Sequence, residues 1–301
     1  MDVAIMIEVQ NGLNWPRWQR IATAVEELGF AGLYRSDHFT NASPPDLDSL
    51  ELWTSLTWLT GHTARIAFGP LVTPASFRHP VMTARMATAI DDLSGGRLVL
   101  GLGAGWQARE HANYGFDLRG RFTRLGEALE VIIKLLRSDE PVAFDGTYYR
   151  LREAVLLPRP KRAGGPPILI GGNGLRRTLP LAARYAHEWN AVFVPAARFV
   201  ELSNRLDALL ARHGRRPADV RRSLMTGIVF GRDDAEVRRN LRGRSEETLR
   251  ERGVIVGTPG AFADALGRLA QSGVQRVMLQ WLDLDDLEGL EALARVVTPW
   301  F

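Results

Sequence analysis

The feature of this sequence that most limits its fold is the regular alternation of short apolar runs with amphipathic helical patterns. Such runs, rich in Val, Ile and Leu and separated by longer helical patterns, are typical of parallel βα units. Eight strand–helix pairs close most simply into a (β/α)8 TIM barrel, which is the predicted α/β fold class. The strands are predicted near residues 3–9, 32–35, 66–72, 98–103, 168–171, 188–194, 222–230 and 276–281.

The helices of this barrel are predicted from start and stop signals, such as Pro16 at the start of the first helix and Leu28-Gly29 at its end. Each follows a predicted strand. They are expected near residues 16–28, 48–59, 80–93, 178–186, 197–213, 233–250, 259–272 and 285–297.

Two segments of the chain are additional to the eight strand–helix pairs of a minimal barrel. Residues 104–166 contain a long helical pattern at 122–136 and a hairpin pattern at 141–150 with Asp145 and Gly146 at its turn, which predicts an insertion after strand four. The arginine-rich segment 238–256 predicts a second, mobile excursion around strand seven. No repeat or linker divides the chain. We therefore expect one barrel domain over residues 1–301, with its main insertion at about 104–166.

The composition excludes several classes of protein. The chain has no cysteine, so disulfide scaffolds, thiolate zinc sites and cysteine nucleophiles are excluded. A hydrophobic content of 46% is too high for a disordered chain. No stretch reaches the ~18 uncharged apolar residues that a membrane span needs, and the N-terminus reads as a strand rather than as a signal peptide. A cytoplasmic protein with no membrane partner is expected.

The positive charge of the chain does not indicate nucleic-acid binding. The formal net charge is only +4, and the sequence pI of 9.8 reflects the use of arginine, since Lys134 and Lys161 are the only lysines. Arginines alternate with acids along most predicted helices, and acids also interrupt the dense run at 238–252. No nucleic-acid partner is expected.

The chemistry of a β/α barrel lies at the carboxyl ends of its strands. Asp37 and His38 form an acid–imidazole pair directly after predicted strand two, and imidazole suits proton transfer near neutral pH. The alternative is that Asp37 caps a turn while His38 packs against Phe39. No His-Glu-x-x-His motif or carboxylate–histidine cluster suggests a metal site, so none is expected.

Two glycine-rich turns follow predicted strands. The turn at residues 171–174 leads into a helix that opens with Arg176, Arg177 and Thr178, so its N–H groups could bind a phosphate or carboxylate. It could equally be a tight turn that needs glycine. Gly101, Gly103 and Gly105 alternate along strand four and could leave one strand face bare for a flat ring, or could only make room for neighbouring chain. Trp106 could be a lid over that face or could pack within the insertion.

At these positions the chain resembles the luciferase-like monooxygenase superfamily, and within it the branch that uses the deazaflavin coenzyme F420. The resemblance includes Ser-Asp-His-Phe at residues 36–39, Gly-Leu-Gly-Ala-Gly-Trp at 101–106 and Gly-Gly-Asn-Gly at 171–174. It extends over nearly the whole chain through further matches at residues 71–80, 91–98, 121–122, 146–149, 183–190 and 257–259.

The resemblance implies a barrel that binds a reduced flavin-type ring at the carboxyl ends of its strands. It implies His38 as the proton-transfer residue, Asp37 as a catalytic residue that helps to position the ring, and a bulge or cis peptide bond near Pro70, Leu71 or Thr73 behind the ring. The implied cofactor-binding residues are Asp37, Leu71, Thr73, Ala104, Gly105, Arg109, Gly171, Gly172, Asn173, Gly174 and Thr178.

The implied reaction is hydride transfer between reduced F420 and a C=C, C=N or C=O group of a small organic substrate, with His38 as proton donor or acceptor. The sugar-phosphate dehydrogenases of the branch have glutamate where this chain has Trp106 and tryptophan where it has Ala42. An apolar pocket walled by Trp106, Phe39 and Trp281 is therefore expected instead of a sugar site. Alternatives are an FMN-dependent monooxygenase that uses O2 and a non-catalytic flavin-binding barrel. A homodimer is expected.

Overall fold

The computed structural model describes residues 1–300, in which parallel strands alternate with helices. The strands are β1 Asp2–Ile7, β2 Gly32–Arg35, β3 Ala67–Pro70, β4 Thr73–Pro74, β5 Leu100–Gly103, β6 Val142–Asp145, β7 Arg150–Ala154, β8 Ile168–Gly171, β9 Glu188–Val192, β10 Arg221–Phe230, β11 Ile255–Gly257 and β12 Arg276–Trp281.

Most helices begin and end within a few residues of the predicted positions, apart from the helix predicted at 233–250. The helices are α1 Trp15–Glu27, α2 Leu52–His62, α3 Pro80–Leu93, α4 Ala108–Asn113, α5 Arg121–Arg137, α6 Thr178–Tyr185, α7 Ala196–Arg212, α8 Asp234–Leu241, α9 Glu246–Glu251, α10 Pro259–Gln271 and α11 Leu287–Val297. Within residues 1–300, no helix is long and apolar enough to cross a membrane.

The parallel strands form a barrel, which confirms the predicted TIM-barrel fold. Their order is β3-β2-β1-β12-β10-β9-β8-β5-β4, with β11 paired to β10 outside this path. The two ends of the sheet meet through a bridge between Phe68 and Leu98 and through the pairing of β4 with β5. The carboxyl ends of all these strands therefore face one side of the barrel.

Two apolar cores follow from the alternation of side chains along the strands. In β1, Val3, Ile5 and Ile7 point outward into the core shared with the helices, whereas Ala4 and Met6 point into the barrel. The interior cluster comprises Ala4, Met6, Tyr34, Leu71, Val99, Leu169, Met225 and Met278. Because it includes Leu71 and Met225 near the strand ends, this cluster forms the floor on which a ligand at that face would rest.

The insertion after β5 contains α4, α5 and the antiparallel hairpin β6–β7. The predicted hairpin was too short: its second strand begins at Arg150, where the hairpin was predicted to end. The connection is wider because the Glu127 carboxylate of α5 accepts hydrogen bonds from the backbone N–H groups of Thr147, Tyr148 and Tyr149.

The excursion around β10 departs from the prediction of one helix at 233–250. The chain forms α8 and α9 instead, because Arg242 and Gly243 adopt positive φ angles of 50° and 76° that no helix continues through. A small apolar core of Val229, Val237, Leu249, Val254 and Val256 packs beneath these two helices.

Of the two interpretations of the alternating glycines of β5, the structure favours the one in which they make room for neighbouring chain. A Cβ atom at Gly101 would overlap the carbonyl oxygen of Pro70, and one at Gly103 would overlap Val72. The glycines therefore make room for the chain between β3 and β4.

Candidate active site

A cavity of about 480 Å³ opens at the carboxyl ends of the barrel strands. Its volume lies within the range of roughly 300–1,000 Å³ that is usual for small-molecule sites. Its floor is apolar and includes Met6, Leu71, Val72, Val192 and Met225. Its polar lining residues are Glu8, Gln10, Ser36, His38, Arg121, Thr178 and Asn190.

His38 lies in the wall of this cavity and is held by a carboxylate from the insertion. Its Nδ1 atom lies 2.9 Å from Oε2 of Glu110. The side chain of His38 is 12% exposed, whereas that of Glu110 is fully buried. Since Nδ1 is occupied by Glu110, Nε2 is the ring nitrogen left to bond a molecule in the cavity.

Glu110 is fixed by further hydrogen bonds to the chain after β2. Its Oε1 atom accepts the backbone N–H of Phe39 at 2.5 Å and that of Thr40 at 3.4 Å. Nearby, Gln107 and Thr40 exchange two buried hydrogen bonds. These contacts attach α4 to the loop that carries His38.

The electrostatic surroundings of His38 favour its charged form. Burial by itself lowers the pKa of His38, but the hydrogen bond and charge of Glu110, with the charges of Glu8 and Asp37, outweigh burial and raise the pKa above its ordinary value. The sequence-based interpretation missed Glu110, which lies 72 residues from His38. An acid at the start of the predicted insertion was the only signal for it.

Asp37 and Thr73 contact each other but do not line the cavity. The buried carboxylate of Asp37 accepts the hydroxyl of Thr73 at 2.7 Å and pairs with Arg78 at 2.5 Å. Arg78 also pairs with Glu51 at 3.1 Å. Here Asp37 and Thr73 thus serve as partners of Arg78, and their contact with a cofactor stays a prediction.

The segment between β3 and β4 crosses the cavity floor. Leu71 and Val72 line the cavity and are joined by a cis peptide bond, which confirms the expectation of a bulge or cis peptide bond near Pro70, Leu71 or Thr73. Ala104 and Gly105 line the adjacent wall. Gly105 has a φ of 81°, a backbone conformation that favours glycine, and lies close to the side chain of His111.

The turn from β8 to α6 borders the opposite side of the cavity. Gly171, Gly172 and Thr178 line it, whereas Asn173 and Gly174 do not. Asn173 instead ties the turn to β9, because its side chain donates to the carbonyl of Val192 at 2.7 Å and accepts that residue's N–H at 3.0 Å. The carbonyl of Gly174 accepts the N–H of Thr178 at the start of α6.

Two polar atoms in the cavity wall have no partner among the described residues. They are Nε of Arg121, at the first turn of α5, and Oδ1 of Asn190, a fully buried residue of β9. Arg121 also makes no ion pair within residues 1–300, and its guanidinium lies 5.1 Å from the centre of the Phe122 ring. The residues expected to supply positive charge, Arg176 and Arg177, do not line the cavity.

The three residues expected to wall the substrate pocket occupy different places. Trp106 lines the cavity, is 62% exposed, and meets the His38 ring edge-on with 5.6 Å between ring centres. Phe39 stacks on Phe77 in an aromatic cluster outside the cavity. Trp281 is buried in the outer core and lines a neighbouring cavity of about 500 Å³.

Arg109 does not line the cavity. Its guanidinium forms a bidentate pair with Asp46, with distances of 2.7 and 2.6 Å, and also donates to the carbonyl of Asn41. These bonds anchor α4 to the loop after β2, and the predicted contact of Arg109 with a cofactor stays untested.

Polar side chains to which sequence reasoning gave no role form a hydrogen-bonded chain beside the cavity. Glu8 accepts hydrogen bonds from Gln280 at 2.8 Å and from Gln10 at 3.0 Å, and Gln10 accepts the hydroxyl of Ser36 at 3.0 Å. Glu8 directly follows β1, and Gln280 lies near the end of β12. Their place at strand ends was the available signal.

Residues 1–249 match a family model described as luciferase-like monooxygenase. The chain is 28% identical to 4-hydroxyprotoasukamycin monooxygenase of Streptomyces nodosus, over 96% of this chain and 88% of that protein. It is 33% identical to an F420-dependent hydroxymycolic acid dehydrogenase of Mycobacterium tuberculosis, over 72% of this chain and 60% of the relative's length.

The fold is similar to that of coenzyme F420-dependent tetrahydromethanopterin reductase from Methanopyrus kandleri. The two chains superpose with a TM-score of 0.82 and 20% identity, and the match covers 100% of each. At this level of identity the likeness supports the barrel fold alone.

Proposed function

We propose that this chain, which belongs to the luciferase-like monooxygenase family and is an oxidoreductase, uses the deazaflavin coenzyme F420 to transfer a hydride to or from a small organic substrate. The observation that carries this proposal is the placement of His38 beside an apolar-floored cavity at the strand ends, with Glu110 behind its ring. The F420 dependence named for the mycobacterial relative supports the choice of cofactor.

The residues of the cavity fit such a cofactor. An apolar floor suits a tricyclic ring, and the partnerless Nε of Arg121 and Oδ1 of Asn190 are buried polar atoms that a polar ligand would satisfy. Arg121 and Thr178 lie at helix starts, where an anionic group such as a phosphate is favoured. We propose that these residues hold the cofactor, with Leu71 and Val72 against the ring.

The residues of the chain supply proton transfer and exclusion of water. A bound deazaflavin supplies a hydride at a carbon centre and reacts poorly with oxygen. His38 gives or takes a proton at Nε2, and Trp106 packs edge-on against the His38 ring at the cavity wall. The substrate class is an unsaturated or carbonyl compound with a C=C, C=N or C=O group.

A second candidate function is an FMN-dependent monooxygenase that uses O2. The relative matched over 96% of the chain is named a monooxygenase, which favours this alternative. A non-catalytic flavin-binding barrel is the third candidate. A small molecule remains the proposed partner, and the proposed homodimer can be tested by sedimentation velocity.

The proposal is tested by titrating the purified protein with F420 and with FMN and following fluorescence quenching. We expect a dissociation constant in the micromolar range for F420 and weaker binding of FMN. Oxidation of the bound reduced cofactor is then followed without oxygen against a panel of enones, imines and ketones. Tighter FMN binding with turnover only in oxygen would support the monooxygenase, and absence of any turnover would support the binding barrel.

His38→Ala tests the proton-transfer role within the same assays. We expect F420 binding to be unchanged and turnover to fall by about 100-fold, the usual contribution of a general acid or base. His62→Ala is the matched control, because His62 lies on α2 and stacks on Trp58 outside the cavity. Equal turnover in the two variants would remove His38 from the mechanism.

A further inference from the structure

We infer that Glu110 is a positioning residue that holds the His38 ring with Nε2 toward the cavity and keeps the ring in its proton-donating form. A protonated Nε2 suits catalysis of substrate reduction, in which the ring gives a proton. The part of this inference that concerns the reaction rests on the proposed function. The contact between Glu110 and His38 does not depend on any cofactor.

The first step of the argument is that Glu110 is a fully buried carboxylate with a hydrogen-bond partner at each oxygen. Its Oε1 atom accepts two backbone N–H groups, from Phe39 and Thr40, and its Oε2 atom faces Nδ1 of His38. A buried carboxylate is retained only where donors and a positive charge compensate it. An ionised carboxylate has no proton to give, so Nδ1 of His38 carries the hydrogen of this bond.

The second step concerns the other charges that face His38. Glu8 lies in the same cavity and Asp37 precedes His38 in the chain, and both favour the imidazolium ion. Asp37 is itself paired with Arg78, and Arg121 brings the opposing positive charge to the cavity wall. Glu110 is the acid in direct contact with the ring, and the pKa of His38 is raised in spite of burial. Both ring nitrogens then carry hydrogen over a wider pH range, and Nε2 is the one available to a substrate.

The third step is the direction of the reaction. In reduction, one atom of the substrate double bond receives the hydride supplied by the reduced deazaflavin, and the other receives the proton of His38 Nε2. The substrate gains two electrons and two hydrogens, and the cofactor is oxidised by two electrons. His38 is left neutral and regains its proton from water. Oxidation needs an unprotonated Nε2 before the reaction, and Glu110 disfavours that state.

The test is Glu110→Gln, in which the amide oxygen can still accept the N–H groups of Phe39 and Thr40 while the negative charge is lost. In the cofactor-free protein we expect the pKa of His38, followed by NMR of its ring signals, to fall below that of the wild type. In the reducing direction, the pH above which turnover declines should fall with it, so turnover at neutral pH decreases by about tenfold or more. The dissociation constant of F420 should not change.

Asp46→Asn is the matched control, since it removes an ion pair of α4 with Arg109 that does not touch His38. It should leave the His38 titration unchanged. If Glu110→Gln does not fold, the wild-type titration alone decides, because His38 must then titrate above the ordinary histidine value of about 6.5.

An unchanged His38 pKa in Glu110→Gln, or a wild-type pKa below the ordinary value, would overturn the inference. So would turnover that increases as pH rises through the His38 pKa in the reducing direction. Equal His38 pKa values in the wild type and in Glu110→Gln would contradict the role of Glu110. A lower His38 pKa in Glu110→Gln, together with no F420-dependent turnover of the wild type, would instead contradict the proposed function.

Discussion

At the scale of single residues, the charged groups of the cavity come from parts of the chain that are distant in sequence. His38 follows β2, Glu110 lies in α4, and Arg121 opens α5. Of these three residues, only His38 could be predicted from a local pattern. The sequence shows an acid and a histidine directly after a predicted strand. The partner of His38 and the cation of the site depend on how the insertion folds back over the barrel.

Arg121 offers a prediction at this scale. Its unpaired guanidinium is expected to bind the phosphate of a flavin-type ligand, where a hydrogen bond to a charged group contributes about 1.5–3 kcal/mol. Arg121→Leu should therefore weaken binding of F420 or FMN by roughly tenfold or more. Fluorescence titration measures this change, and riboflavin, which lacks the phosphate, should bind both proteins equally.

Arg177→Leu is the control for this experiment. Arg177 precedes α6 but does not line the cavity, so its loss should leave the titrations unchanged. If Arg121→Leu and Arg177→Leu weakened cofactor binding equally, the loss would be a general effect of positive charge and would contradict a specific role for Arg121.

At the scale of elements, the turn between β8 and α6 shows how a glycine-rich motif takes its shape. Gly172 has a φ of 126°, which only glycine adopts without strain, and its carbonyl accepts Nε1 of Trp189. Asn173 binds β9 through two hydrogen bonds to Val192. The motif therefore shapes the cavity wall, and its asparagine stabilises the turn from outside the cavity.

Asn173→Ala is predicted to lower the free energy of unfolding by about 1–3 kcal/mol, because the N–H and carbonyl of Val192 lose their partner. Urea denaturation measures the change. Asn204→Ala serves as the control, since Asn204 is exposed on α7 and its replacement should alter stability by no more than about 0.5 kcal/mol. Equal stability of the two variants would contradict the structural role of Asn173.

At the scale of the whole molecule, closure of the barrel depends on the contact between β3 and the chain entering β5. The N–H of Phe68 donates to the carbonyl of Arg97, and the N–H of Val99 donates to the carbonyl of Phe68. Gly69 lies at this junction, where an added Cβ would overlap the carbonyl oxygen of Val99. Glycine is therefore required for the two backbones to approach.

Gly69→Ala is predicted to destabilise the barrel by about 1–3 kcal/mol or more, since neither backbone can move without opening the junction. Gly61→Ala is the matched substitution, because Gly61 lies in α2 with open space around its Cα, and it should stabilise the protein by up to about 1 kcal/mol. Urea midpoints of both variants test the prediction. A Gly69→Ala protein as stable as the wild type would show that the stability of the barrel does not depend on this close approach.

The periodicity of the sequence was sufficient to predict most strands and helices of the barrel. The strand at 32–35 and the helix at 80–93 were predicted with their observed bounds, because repeated apolar spacing and a proline at the helix start are local signals. The split of the helix predicted at 233–250 was not visible, since the left-handed backbone at Arg242 belongs to a residue type that seldom adopts it.

The sequence by itself determined the alternating fold, the face on which chemistry can occur, and His38 as a residue of that face, because periodicity and strand ends are properties of neighbouring residues. Only the tertiary structure decided that Glu110 bonds His38, that Asp37 pairs with Arg78, and that Arg121 rather than Arg177 lines the cavity. His38 and Glu110 are 72 positions apart in the sequence, and Asp37 and Arg78 are 41 apart. No local pattern encodes contacts between residues so far apart.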